Sequence, residues 1–232
     1  MPIAAAIDST DDGRAGPQLV IFDCDGVLVD SETICNTVMA QMLGQLGWAL
    51  SLQQTIDTFI GRSLPQCLAI IAGHLGHPPP ADFQPQLALR TQAALRAGLK
   101  PVAGIEALLS GLGVPCCVAS NGNRAKMDFT LGLTGLAPRF SGRSHCAEDV
   151  ARPKPAPDLF LHAARCHHAE ASRCVVVEDT PTGIQAARAA GMQAFGFAAL
   201  TVPQRLRDAG AHQVFAQMSQ LPALLLRLDC RA

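Results

Sequence analysis

Short apolar runs of strand length alternate along this chain with longer segments of helical periodicity. Parallel strands need long crossover connections, so this alternation predicts βαβ units and an α/β fold with a doubly wound, Rossmann-like parallel sheet. A chain of 232 residues can bury a core of that size. The predicted strands are Leu19–Phe22, Pro115–Ala119, Cys174–Val177 and Ala194–Phe197.

Polar residues follow three of these four strands directly. Asp23 comes after the first strand, Ser120 and Asn121 after the second, and Glu178 and Asp179 after the third. The carboxyl ends of parallel strands meet at one edge of a sheet, where open α/β folds bind their ligands. The pattern therefore predicts an active site at that edge.

The first of these positions carries two carboxylates close together, Asp23 and Asp25. Two anionic groups at this spacing repel each other unless a cation or a proton lies between them, and oxygen ligands favour a hard ion such as Mg²⁺. This indicates metal-assisted phosphoryl chemistry. A plain alternative is an Asp-rich turn at the end of a strand, because Asp and Gly are common turn residues.

A long segment between the first two strands has helical periodicity and no strand pattern. Apolar residues recur in it at three- and four-residue steps, as at Ile34, Val38 and Met42, which predicts helices. We expect residues 31–100 to form a helical cap inserted after the first strand, with 18–30 and 101–232 forming the α/β core. Residues 1–17 have the composition of a disordered tail.

Charge and hydropathy argue against two classes of partner, and the cysteine content indicates the state of the thiols. The formal net charge is −1, which gives no reason to expect nucleic acid or an anionic membrane, and no apolar stretch reaches the ~18 residues of a membrane helix. The nine cysteines are scattered and lack paired spacing, so we expect reduced thiols in a cytoplasmic protein, with neither zinc-binding nor disulfide roles. The pairs His74/His77 and His167/His168 lack flanking metal ligands.

Four motifs occur in this order: Asp23-Cys24-Asp25-Gly26-Val27, Ser120-Asn121, Lys154-Pro155-Ala156-Pro157-Asp158 and Glu178-Asp179. Taken singly, each has an ordinary interpretation as a turn, a loop cation or a helix start. Together they resemble the motifs of the haloacid dehalogenase superfamily. Flanking residues, including Gly183-Ile184-Gln185, resemble the branch of sugar-phosphate phosphatases and β-phosphoglucomutase. Within this branch, the residues Ser31-Glu32-Thr33-Ile34-Cys35 and Val118-Ala119-Ser120-Asn121-Gly122 resemble those of the bacterial 6-phosphogluconate phosphatases.

The resemblance implies a role for each motif. Asp23 would attack phosphorus as the nucleophile, and Asp25 would serve as general acid and then base. Ser120 and the backbone amide of Asn121 would bind the phosphoryl group, and Lys154 would offset negative charge. Mg²⁺ would be the cofactor. Its ligands would be the Asp23 carboxylate, the Asp25 carbonyl and Asp179, with Glu178 acting through water or orienting the shell.

Substrate choice would come from the cap, since the core motifs bind only the phosphoryl group. The resemblance places Gly61, Arg62 and Ser63 in the substrate-binding loop, with Arg90 and Arg124 as further candidates. Where β-phosphoglucomutase has a histidine after its first motif, this chain has Cys35, which favours transfer to water.

The implied substrate is therefore a small phosphorylated metabolite, either a sugar phosphate or a sugar acid phosphate such as 6-phosphogluconate. A phosphomutase is the alternative enzyme, and an idle phosphometabolite-binding regulator is the alternative from another class.

Overall fold

A six-stranded, fully parallel sheet forms the centre of the larger unit of the chain, in a computed structural model that describes residues 16–228. The strand order is β3-β2-β1-β4-β5-β6. All but two residues of the expected N-terminal tail, 1–17, lie outside the described residues. The strands are β1 Leu19–Phe22, β2 Cys116–Ser120, β3 Ser144–Cys146, β4 Cys174–Glu178, β5 Gln193–Phe197 and β6 Gln213–Phe215.

The sheet confirms the predicted α/β parallel fold. Each of the four predicted strands is present, with ends within one residue of the predicted ones. β1 lies at the centre, where Ile21 pairs with Cys117 on one side and with Val176 on the other. All four residues of β1 are buried, as expected for a strand covered on both faces.

Helices follow the strands of this unit. One face of the sheet packs Leu19 and Ile21 of β1 against Leu159, Phe160 and other buried residues of the helices, so this face forms a continuous core. The helices are α5 Ile105–Gly111, α6 Arg124–Leu133, α7 Asp158–Cys166, α8 Pro181–Ala189, α9 Pro203–Asp208 and α10 Leu221–Leu226, with 3-10 turns at Ala137–Phe140, Ala147–Asp149, Ala171–Arg173 and Met218–Gln220.

Residues Asp30–Lys100 form a second compact unit. It is entirely helical: α1 Ser31–Gln45, α2 Leu52–Phe59, α3 Leu64–Leu75 and α4 Phe83–Gly98. Its own core contains Met42, Phe59 and Ile71, with Trp48 packed against it, so this unit buries apolar surface independently. Its action as a cap remains a prediction.

No helix within residues 16–228 has the length and apolar character needed to cross a bilayer. The eight cysteines in this part of the chain are all free.

Candidate active site

The loop after β1 folds back on itself and presents two carboxylates at the end of the strand. The Asp23 amide donates to the Val177 carbonyl of β4 at 2.9 Å, which extends the β1–β4 pairing by one residue. The amides of Leu28 and Val29 both donate to the Cys24 carbonyl. Gly26 occupies the tight part of the loop with φ of +75°, a conformation that glycine adopts without a steric penalty.

Lys154 links the first and last motifs. Its ammonium donates to Asp23 Oδ1 at 2.5 Å, to Glu178 Oε1 at 2.6 Å and to the Ala119 carbonyl at 2.8 Å. All three donor positions of the ammonium are therefore used. It also lies 4.7 Å from the centre of the Phe160 ring. The lysine is 6% exposed, so its charge is buried but fully compensated.

A side-chain amide holds the backbone of Lys154 in place. Asn121 Nδ2 donates to the Lys154 carbonyl at 3.0 Å, and the Lys154 amide donates to Asn121 Oδ1 at 2.9 Å. These two hydrogen bonds fix the second motif to the third.

Ser120 lies at the end of β2, beside the loop that carries Asp25. The Gly122 amide donates to Ser120 Oγ at 3.1 Å. A Cβ at Gly122 would lie 3.5 Å from Ser120 Oγ and 3.9 Å from Asp25 Oδ2, so the serine and the second aspartate both lie close to this glycine. The first two motifs are therefore neighbours.

Glu178 is almost completely buried, at 1% exposure, and both of its carboxylate oxygens accept hydrogen bonds. One accepts from Lys154, and the other accepts from the amide and hydroxyl of Thr180 at 3.2 Å and 2.9 Å. Thr180 also caps α8 by accepting from the Gly183 amide. Glu178 is thus a fixed anion that holds Lys154.

The carboxylates and the lysine shift each other's pKa values. Burial raises the pKa of Asp23 to about 8, and the negative charges of Glu178 and Asp25 add to this effect while Lys154 opposes it. Burial by itself would lower the pKa of Lys154, but the carboxylates of Asp23 and Glu178 outweigh it and raise that pKa above its usual range.

Three carboxylates in this site lie close enough together to hold a hard cation. Oxygen atoms of Asp23, Glu178 and Asp179 lie within 4.8 Å of one another, and all three residues are buried. The ligand atoms that this trio offers are all carboxylate oxygens, which suits Mg²⁺ and disfavours softer ions. The residues present therefore fit a magnesium ion.

Lys126 is a site residue that sequence reasoning missed. Its ammonium donates to Asp25 Oδ2 at 2.7 Å, from the first turn of α6. Asn123 caps this helix by accepting from the Lys126 amide. A capping residue shortly after the second motif is a signal that could have placed the lysine at the same edge of the sheet.

Arg124 and Arg90, the two further candidates for substrate binding, each bind a nearby residue of the protein. Arg124 Nη2 donates to Asp149 at 2.6 Å, and its Nη1 donates to the Ser144 carbonyl at 2.8 Å, so it fastens α6 to the β3 region. Arg90 donates to Gln45 within the helical unit.

The predicted substrate loop belongs to the helical unit. Gly61 has φ of +74°, and Arg62 Nε donates to the Thr58 carbonyl at 2.7 Å. Ser63 precedes α3, and its amide and hydroxyl donate to Gln66 Oε1. All three residues are exposed, and their contact with substrate remains a prediction.

Comparison with known proteins identifies the family. The haloacid dehalogenase-like hydrolase family model matches residues 17–191. The chain belongs to this family. The 6-phosphogluconate phosphatase of Escherichia coli K12 is 32% identical over 209 residues, which cover 89% of this chain and 94% of that protein. The plasmid-encoded phosphoglycolate phosphatase of Cupriavidus necator is 30% identical over 216 residues, covering 89% and 92%.

A solved structure of the same family is also similar to this chain. The haloacid dehalogenase family hydrolase from Deinococcus radiodurans R1, solved with bound phosphate and sodium, has a TM-score of 0.81 and 32% identity. The match covers 91% of this chain and 96% of that one. All four predicted motifs, from Asp23 to Asp179, lie within the segment that the family model covers, so the chain is a hydrolase of this family.

Proposed function

We propose that this hydrolase is a magnesium-dependent phosphatase that removes the phosphoryl group from a small phosphorylated metabolite through an aspartyl-phosphate. The observation that carries the proposal is the Asp23 carboxylate, which lies at the end of β1 with a buried ammonium 2.5 Å away. Named relatives that are phosphatases support the reaction class. Bound phosphate in a structural relative supports the nature of the ligand.

Asp23 and Asp25 divide the chemistry between them. An Asp23 oxygen attacks phosphorus, the bond from phosphorus to the metabolite oxygen breaks, and Asp25 gives its proton to the departing alkoxide. Water then attacks phosphorus and loses a proton to Asp25, which releases inorganic phosphate and restores Asp23. Lys126, which donates to Asp25 at 2.7 Å, orients this carboxyl.

The surrounding groups stabilise charge that spreads over the phosphoryl oxygens. The Ser120 hydroxyl and the backbone amide of Asn121 would donate hydrogen bonds to these oxygens, and Lys154 would compensate their charge. When bound, Mg²⁺ would supply further positive charge at the phosphoryl group. Asp23 and Asp179 would be its carboxylate ligands, with the Asp25 carbonyl. Glu178, whose two oxygens accept from Lys154 and Thr180, would orient this shell.

For the substrate we propose a sugar acid phosphate, with 6-phosphogluconate as the first compound to test. The named Escherichia coli relative supports this choice. Arg62 would recognise the carboxylate of the sugar acid, because a guanidinium can hold a carboxylate through two parallel hydrogen bonds.

The test is phosphate release with Mg²⁺ over a panel of sugar phosphates, sugar acid phosphates and nucleotides. We expect turnover by the native protein and none by Asp23→Asn, which keeps the shape of the side chain and removes the nucleophile. Arg62→Ala should lower activity on sugar acid phosphates more than on neutral sugar phosphates, whereas Arg90→Ala should leave this ratio unchanged.

Absence of phosphate release from every compound would contradict the phosphatase proposal and favour a phosphomutase, for which a bisphosphate-primed isomerisation assay is the direct measurement. An unchanged ratio in Arg62→Ala would exclude only the role of that arginine.

A further inference from the structure

A cluster of imidazole and thiol groups lies on the sheet face that α7 covers. His145 is on β3, and His162 and Cys166 are on α7. The two α7 residues are four positions apart, so they share one face of the helix. None of these side chains belongs to the carboxylate cluster of the candidate active site. The cluster therefore needs an explanation of its own.

The distances within this trio suit a tetrahedral metal centre. Ligand atoms of His145, His162 and Cys166 all lie within 4.8 Å of one another. Cys166 Sγ lies 3.6 Å from His162 Nε2. With Zn–N bonds of about 2.05 Å and Zn–S bonds of about 2.3 Å, tetrahedral geometry places a nitrogen and a sulfur ligand about 3.6 Å apart. This pair therefore already has the separation that one shared zinc ion demands.

A second trio shares His145 but is less suited to a cation. It contains Cys117 and His167. Cys117 is fully buried, at 0% exposure, so forming its thiolate would place a negative charge in the apolar core. Cys166 is exposed and His162 is partly exposed, so a cation can reach the outer trio from solvent.

Neighbouring groups support the outer trio. His145 Nε2 lies 3.2 Å from His167 Nε2, and contacts of this kind from outside the ligand set orient a metal-binding imidazole. His162 also lines an open depression of about 350 Å³. The His162 side of the trio is therefore open to solvent.

We propose that His145, His162 and Cys166 bind one borderline-soft divalent cation, with Zn²⁺ as the preferred ion and water as the fourth ligand. Two imidazoles and one thiolate are typical zinc ligands, and they discriminate against the magnesium that suits the carboxylates. Binding converts the Cys166 thiol to a thiolate and releases one proton to solvent. The ion would link β3 to α7.

The test uses Co²⁺ as a spectroscopic substitute for Zn²⁺ in chelator-treated, full-length protein, with excess Mg²⁺ present to occupy the carboxylate site. We expect about one equivalent of Co²⁺ to produce a thiolate-to-cobalt charge-transfer band. Cys166→Ser should abolish this band. His162→Gln should weaken Co²⁺ binding by more than about tenfold, since loss of even an outer contact weakens metal binding 10- to 100-fold. Zn²⁺ should displace the cobalt.

Matched controls are available in the same chain. His168→Gln changes the exposed histidine next to the cluster, and Cys35→Ser changes a cysteine of the helical unit. Neither should alter the band or the affinity. Absence of the band in the native protein, or its persistence in Cys166→Ser, would overturn the proposal. Loss of the band in Cys117→Ser together with its retention in Cys166→Ser would also overturn it.

Discussion

Gly183 is the position where a single added methyl group should do most damage to the candidate site. A Cβ at this residue would lie 1.8 Å from Glu178 Cδ and 1.9 Å from Glu178 Oε1. Carbon atoms in contact prefer at least 3.5 Å, so in Gly183→Ala the carboxylate must retreat by roughly 1.7 Å. A shift of this size is enough to break the 2.6 Å contact between Glu178 and Lys154.

The expected loss of stability follows from the ion pair between Glu178 and Lys154. Breaking one partner away from a buried ion pair costs about 3–5 kcal/mol, because the other charge is left buried and uncompensated. Replacing a helical glycine by alanine returns about 0.5–1 kcal/mol. We therefore expect Gly183→Ala to lower the free energy of unfolding by about 2–4 kcal/mol and to reduce phosphate release, since Lys154 loses its support.

Urea unfolding followed by circular dichroism measures this change. Gly132→Ala is the matched control, because Gly132 is an exposed glycine of α6 with no atom within 4 Å of an added Cβ. It should be neutral or stabilising by up to about 1 kcal/mol. In a Glu178→Ala background, Gly183→Ala should cost less than about 1 kcal/mol, because the clashing group is gone. Equal costs in the two backgrounds would refute the reasoning.

Two further predictions concern the proton donor and the metal. Lys126→Met should lower hydrolysis of alkyl phosphates by about tenfold and of nitrophenyl phosphate much less, because a good leaving group needs no proton. Equal losses on the two substrates, measured as phosphate release, would argue against a role through Asp25. Asp179→Asn should raise the Mg²⁺ concentration for half-maximal activity by about tenfold or more, because a hard cation loses an anionic ligand. An unchanged magnesium titration would place the ion elsewhere.

The strands that could be predicted from the sequence are those buried on both faces of the sheet, because such strands consist of a continuous apolar run. β1 and β4 are buried along their full length, and their residues are apolar up to Phe22 and Val177. β3 and β6 have three residues each, Ser144–Cys146 and Gln213–Phe215. They are too short and too polar to show a period of their own, and only pairing with β2 and β5 defines them.

The same distinction separates the candidate-site residues that the sequence predicts from those that it does not. Asp23 and Asp179 follow apolar strands directly, so the strand pattern itself points to them. Lys126 comes six residues after the end of β2, and its contact with Asp25 depends on how α6 begins. His145 and His162 are far apart in sequence, and only the packing of α7 on β3 brings them together.

The side-chain amide of Asn121 forms hydrogen bonds of the kind that a backbone peptide group forms. One of its N–H groups donates to the Lys154 carbonyl and its oxygen accepts from the Lys154 amide, as the two groups of a neighbouring peptide would. Aspartate has the same outline but no donor when ionised, so it would turn one of these two bonds into a repulsion. For anyone grafting this lysine loop onto another scaffold, positions 121 and 154 form one transferable unit. If only one of the two residues were transferred, the Lys154 backbone would no longer be held in place, and the position of its buried ammonium would be lost.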